Sequence, residues 1–451
     1  MKNTWSRLFV YRITIVAAVG GLLFGYDTAV IAGAIGFLQI KFGLSAMMVG
    51  WAASCALIGC IAGALFSGVL SDWLGRRKVL IFSAVLFALS SLGIAIPGDL
   101  NWFVFFRIIG GLGIGIASVL APMYITEIAP SHERGKLVSI NQLGIVTGIL
   151  VIYFVNAAIA DLYDETWNVE IGWRWMFASG IFPSLIFLIL LFFVPESPRW
   201  LIKKGRNAEA FIVLEKINGE ERAHLEAEEI IQSLHSESGS FAEIFRPGLM
   251  KALIIGVILA MFSQITGINA IMYYAPEIFK STGDGSDSAL LQTILVGVVN
   301  FLFTLVAIRY VDKVGRRGLL LIGSIGMTVC LATIGSAFHF GFSKGYLVLV
   351  SIMAYIAFFA LSLGPLTFVV ISEIFPNRTR GKAMSLSLFS LWIFVFIVSQ
   401  SFPVMLNSLG SAYTFWCFMG MSILAGLFIY FFIPETKGKT LEEIETFWKR
   451  G

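Results

Sequence analysis

The chain has 451 residues, 57% hydrophobic and only 13% charged, with a formal net charge of +4 and a mean hydropathy of +0.85. Soluble domains carry about 25% charged residues, so this composition excludes one and calls for membrane-spanning helices. The basic residues are spread over short connections rather than gathered in one patch, so the charge does not point to nucleic acid.

Apolar runs between charged clusters predict twelve spans, beginning near Ile13, Met47, Val79, Trp102, Leu137, Trp175, Ala252, Ala289, Leu319, Tyr346, Ala383 and Tyr413. The first, residues 13–37, is too long for a secretory leader, lacks a cleavage site and reads as a retained helix. Its one charged group is Asp27. A charge at bilayer depth costs at least about 2.5–3.5 kcal/mol, so by default it marks an ion or substrate pathway.

The fourth span holds Arg107, the only basic residue inside any span. Depth arithmetic asks whether the two charges can meet. Asp27 lies 15 residues after Arg12, about 22 Å at 1.5 Å per residue. Arg107 lies 6 residues after Asn101 on the opposite side, about 9 Å, which leaves about 21 Å of a core about 30 Å thick. The pair can share a layer. There, apolar surroundings favour the protonated acid and a nearby guanidinium favours the carboxylate, so modest helix movement can load or release a proton.

Polar side chains recur in the later spans: Asn141 and Gln142 in the fifth, Gln264 and Asn269 in the seventh, Asn300 in the eighth and Trp392 in the eleventh. Phe24 and Tyr273 add aromatic surface. Amides can donate and accept at once, and aromatic rings offer apolar faces, so this set can line a polar ligand site within the bundle. The bland alternative is that the amides bridge helices, and it weighs most for Asn141. Gly267 and Pro276 predict a break in the seventh helix.

Between the sixth and seventh spans, residues 195–247 form the one long polar segment, in which residues 203–217 and 221–234 read as short amphipathic helices. The expected organisation is therefore all-α: a six-helix bundle at 1–194, a cytoplasmic linker at 195–247, a second six-helix bundle at 248–434 and a cytoplasmic tail at 435–451. Arg12, Arg76, Arg77, Lys78, Arg134, Arg316, Arg317 and Arg380 all fall on the side of the N-terminus, so both termini are expected inside.

The two halves are repeats. Residues 68–78 (GVLSDWLGRRK) answer residues 309–318 (RYVDKVGRRG), with Asp72 and Asp312, and Arg76 and Arg316, each 240 residues apart. Glu127 and Arg134 answer Glu373 and Arg380, each 246 residues apart. PESPR at 195–199, with Glu196 and Arg199, answers PETKG at 434–438, with Glu435. Parallel six-helix repeats point to alternating access around a site at the repeat interface. These duplicated acids and bases at helix ends read as a cytoplasmic gate that latches in one state and opens in the other.

No nucleophile–base constellation, phosphate loop or metal cluster is present, so an enzyme is disfavoured and neither metal nor cofactor is expected beyond the proton. Cys55, Cys60, Cys330 and Cys417 lie in apolar spans without metal spacing and read as packing residues.

With GGLLFGYDTAV, RIIGGLGIGIASVLAPMYITEIAP, PESPRWL, GINAIMYYAPEIF, SEIFPNRTRGKA and PETKGKTLEEIE in order, the chain resembles the sugar porter family of the major facilitator superfamily, most like its bacterial xylose/proton symporters. The resemblance covers nearly the whole length. It implies a monomeric, proton-coupled monosaccharide symporter of a bacterial inner membrane, with Asp27 as proton carrier and Gln142, Gln264, Asn269 and Trp392 at sugar-contacting positions. The facilitative members of that family carry Asn at the Asp27 position, so a sugar or polyol uniporter is the alternative, and a non-transporting sensor a remote one. The chain departs from the xylose symporters at Ser263, Ile149, Phe368 and Leu391, each less polar than or different from its counterpart. A hexose, a deoxy sugar or a polyol therefore stays open beside a pentose.

Overall fold

A computed structural model describes residues 2–96, 98–130, 133–236, 244–245, 247–282, 286–342, 346–375 and 380–437. Among these, twelve helices are long and apolar enough to cross a membrane: Arg7–Phe42, Ala46–Leu74, Arg76–Ala95, Leu100–Ile128, Arg134–Ala160, Glu165–Leu191, Leu249–Lys280, Ser288–Val311, Arg316–His339, Tyr346–Ile374, Gly381–Leu409 and Ser411–Phe432. The chain is a multi-pass membrane protein. Most starts fall within a few residues of expectation, but the sixth begins ten residues before Trp175. Its first turns carry Asp164, Glu165, Asn168 and Glu170, which read as a loop. Instead the Asp164 carboxylate accepts from the Trp167 N–H at 2.9 Å, starting a helix that passes through a π-helical turn at Asn168–Gly172. Capping of this kind satisfies an orphan backbone donor that a polar loop would leave to water.

Two spans are broken. The seventh divides into Pro247–Ile265 and Ile268–Lys280. Gly267 stands at the break with φ +97°, a left-handed conformation that needs a residue without a Cβ. The carbonyl freed at Thr266 accepts from the Tyr355 hydroxyl at 3.0 Å, so the break leaves no cost at that group. Pro276, expected to share in the break, is accommodated inside the second piece. The tenth span divides at Ser362 into Tyr346–Leu361 and Leu363–Ile374. Gly364 and Pro365 follow the break directly, and a proline in the first turn of the second piece cannot donate back across it.

The repeat persists in the backbone. Gly75 (φ 99°, ψ 159°) and Gly315 (φ 95°, ψ 157°) cap the third and ninth spans in the same conformation. Both face an acid that a Cβ would crowd: Glu196 at Gly75 and Glu435 at Gly315. The polar linker forms the helices Pro198–Lys203, Asn207–Asn218 and Glu220–Ser236, bedded on Ala210, Val213, Leu214 and Ile217. Trp200 anchors the first of these by donating its indole N–H to the Asp72 carbonyl at 3.0 Å. Cys55, Cys60 and Cys330 are buried as expected of packing residues, whereas Cys417 is exposed.

By packing, the chain forms two compact units that do not coincide with the sequence halves. One comprises residues 1–27, 58–148 and 177–239, the other residues 28–57, 149–176 and 240–451. Within the second unit, parts of the first, second, fifth and sixth spans pack with the whole second repeat. The Tyr153 hydroxyl donates to the Met272 carbonyl at 2.8 Å, and Asn156 donates to the Val30 carbonyl at 3.1 Å. Gln400 accepts from the Ser54 hydroxyl at 2.8 Å and donates to the Met47 carbonyl at 3.0 Å.

Candidate functional site

Asp27 and Arg107 meet inside the first unit. Arg107 Nη1 lies 3.1 Å from Asp27 Oδ2 and 3.3 Å from the Asp27 carbonyl oxygen. Arg107 is 1% exposed and Asp27 9%. The guanidinium also stands 5.2 Å from the centre of the Phe177 ring, while its Nε has no hydrogen-bond partner among the described residues. The carboxylate is held by a single nitrogen rather than a two-pronged fork, so the pair can part without breaking a bidentate lock. Beside it, the Tyr26 hydroxyl and Ser179 Oγ are 2.7 Å apart, which fixes the first span to the sixth.

The amides expected to hold a sugar divide between the units. Gln142 and Phe24, both half-buried, and buried Asn141 belong to the first. Asn141 Oδ1 lacks a hydrogen-bond partner among the described residues. Gln264, Asn269, Tyr273, Asn300 and Trp392 belong to the second. There the structure brings Asn269 to Gln264, with Nδ2 donating to Oε1 at 2.5 Å across the break in the seventh span. Gln264 Nε2 donates in turn to Ser263 Oγ at 2.9 Å. Asn300, Tyr273 and Trp392 are all buried. Of the departures noted in the sequence, Leu391 is 6% exposed and Phe368 39%.

Among the described residues, the duplicated charges form one cluster in each unit. Arg76 forms a fork with Glu127, through Nε at 2.9 Å and Nη2 at 2.9 Å, and its Nη1 reaches Asp72 at 3.0 Å. Glu196 accepts from the backbone N–H of Arg76 at 2.8 Å, so this acid, assigned by sequence to the linker, packs with the first repeat. In the second repeat Arg316 pairs with Glu373 at 3.0 Å, and Glu435 accepts from the Arg316 N–H at 3.0 Å. Arg134 is exposed and Arg199 half-buried. The side chains of Asp312 and Arg380 lie outside the described residues.

The two matching acids differ electrostatically. Burial pushes the Glu196 carboxyl above its ordinary range, outweighing the N–H bonds from Ser197, Arg77 and Arg76 and the charge of Arg76. Burial also pushes Glu435 up, but N–H bonds from Lys437, Arg316 and Arg317 and the charge of Arg316 outweigh it and leave Glu435 below that range.

A sequence model of the family described as "Sugar (and other) transporter" matches residues 13–448. The chain belongs to that family. The transporter is 47% identical to the arabinose-proton symporter of Bacillus subtilis over 462 residues, covering 99% of this chain and 100% of the relative. It is 43% identical to the D-xylose-proton symporter of Escherichia coli over 483 residues, covering 100% of this chain and 98% of the relative. Its fold is similar to a solved inward open conformation of the xylose transporter from E. coli, with TM-score 0.87 at 43% identity, covering 98% of this chain and 100% of the other. That fold is the major facilitator fold.

Sequence reading passed over Tyr153, Asn156 and Gln400. Asn156 and Gln400 are amides in apolar spans, the same signal that flagged Gln264.

Proposed function

We propose that the protein is a proton-coupled monosaccharide symporter working by alternating access, in which Asp27 carries the proton. The observation that carries this reading is the buried Asp27–Arg107 pair at 3.1 Å. A protonated Asp27 gives up its ionic hold on Arg107, and a deprotonated one restores it, so proton occupancy biases the helices that bear them. The relatives named for arabinose and xylose support a pentose among the substrates. Gln142, Gln264, Asn269, Asn300 and Trp392 are the residues we assign to the sugar, with Phe24 and Tyr273 as aromatic walls.

The positive-inside bias supports both termini lying in the cytoplasm of a bacterial cell, and we assign the transporter as a monomer whose coupling agent is the proton. On that orientation, Asp72, Arg76, Glu127, Arg134, Glu196, Arg199, Asp312, Arg316, Glu373, Arg380 and Glu435 mark the inner gate. The bonds of Tyr153 and Gln400, which join the first repeat to the second, belong to the outer gate.

Counterflow in proteoliposomes tests the assignment, with D-xylose, L-arabinose, D-glucose, D-galactose and a polyol as the panel. One or more sugars will exchange, and an inward-directed pH gradient will drive their net accumulation. Exchange without gradient-driven accumulation would identify a uniporter instead.

Gln400→Ala removes two bonds at the outer gate, each worth about 1 kcal/mol, so the outward-open population will rise about fivefold or more. A cysteine placed at Ile149 in a cysteine-free chain will then react correspondingly faster with an impermeant thiol reagent added outside. An unchanged rate removes Gln400 from the gate.

A further inference from the structure

Gln264 has two amide hydrogens and two acceptor lone pairs. Asn269 takes one lone pair at 2.5 Å, and one hydrogen goes to Ser263 Oγ at 2.9 Å. Ser263 has already committed its own hydrogen, donating to the Ala260 carbonyl at 2.7 Å. Its oxygen can therefore only accept from Gln264. Turning the Gln264 amide over would set Oε1 against an oxygen with no hydrogen left to give. Ser263 is 1% exposed and Gln264 8%, so water is a poor substitute for either bond.

The relay Asn269 to Gln264 to Ser263 to Ala260 thus has one polarity, fixed at the serine end by a backbone carbonyl of the first half of the seventh span. It crosses the break at Gly267 and ties the two half-helices together. From these bonds we infer that Ser263 is a positioning residue for sugar recognition. It holds the Gln264 amide in one orientation, so that one N–H and one lone pair of Gln264 remain for the ligand. This inference rests on the proposal that Gln264 and Asn269 hold the sugar.

A double-mutant cycle separates the two ideas, read as equilibrium affinity for whichever panel sugar counterflow selects. Ser263→Ala removes one buried oxygen and frees the Gln264 amide to turn, so affinity will fall about threefold to tenfold. Ser263→Thr, which keeps the hydroxyl, will retain most of it. In a Gln264→Ala background, Ser263→Ala will cause no further loss, because nothing is left to orient. Wild-type affinity in Ser263→Ala, or an equal loss with and without Gln264, would overturn the positioning role while leaving the sugar site intact. If Gln264→Ala itself binds as tightly as wild type, the site assignment fails, and the relay's role in recognition with it.

Discussion

Asp27→Asn will exchange sugar across a vesicle membrane but will not accumulate it under a proton-motive force. Asn matches Asp in shape, and its Oδ1 can still accept from Arg107 Nη1 at the observed 3.1 Å. It cannot bind and release a proton in the accessible pH range. A potential of 100 mV supplies about 2.3 kcal/mol per charge, so symport with one proton sustains about 50-fold accumulation. The expected ratio for the variant is about one, the passive limit, whatever the potential. The substitution also leaves the 1% exposed Arg107 without a counter-charge, so the variant's melting temperature will drop. Uphill accumulation by Asp27→Asn vesicles would refute Asp27 as the carrier.

Arg76→Ala will be the most destabilising change at the inner gate, and more damaging than Arg316→Ala at the repeated position. The Arg76 and Glu127 side chains are 8% and 9% exposed, against 13% and 26% for Arg316 and Glu373. Removing one partner of a buried pair strands the other, at about 3–5 kcal/mol. Screening by solvent lowers that figure for the more open pair. In detergent, Arg76→Ala should melt on the order of 5 °C below the parent, with Arg316→Ala closer to it. Equal shifts would mean that exposure does not set the strength of these clusters.

The count of spans, the repeat and the membrane class were legible because hydropathy and charge spacing are local and additive along a chain. Asp27 and Arg107 could be matched by depth because helix rise converts residue number into distance. The directions of the ion pairs were not legible. A Glu at 127 and an Arg at 76 fit equally well a bond between halves and a bond within one, and only the turn at Gly75 decides which groups face each other. The sixth span was cut short because Glu165, Asn168 and Glu170 look like loop residues until Asp164 is seen to cap them. The orientation of the Gln264 amide depends on hydrogens already committed by Ser263, a fact that no residue-by-residue comparison contains.

The cluster around Arg76 draws its members, Asp72, Glu127, Glu196 and the Lys203 that pairs with Asp72 at 2.8 Å, from the first 203 residues. During synthesis it can therefore close before any of the second repeat exists, giving the nascent first repeat a finished inner end while the ribosome is still translating. The matching cluster must wait for Glu435, 239 residues after Glu196. Until then Arg316 and Glu373 have each other but not the acid that caps the ninth span. The second repeat is thus the later and more vulnerable of the two during biogenesis.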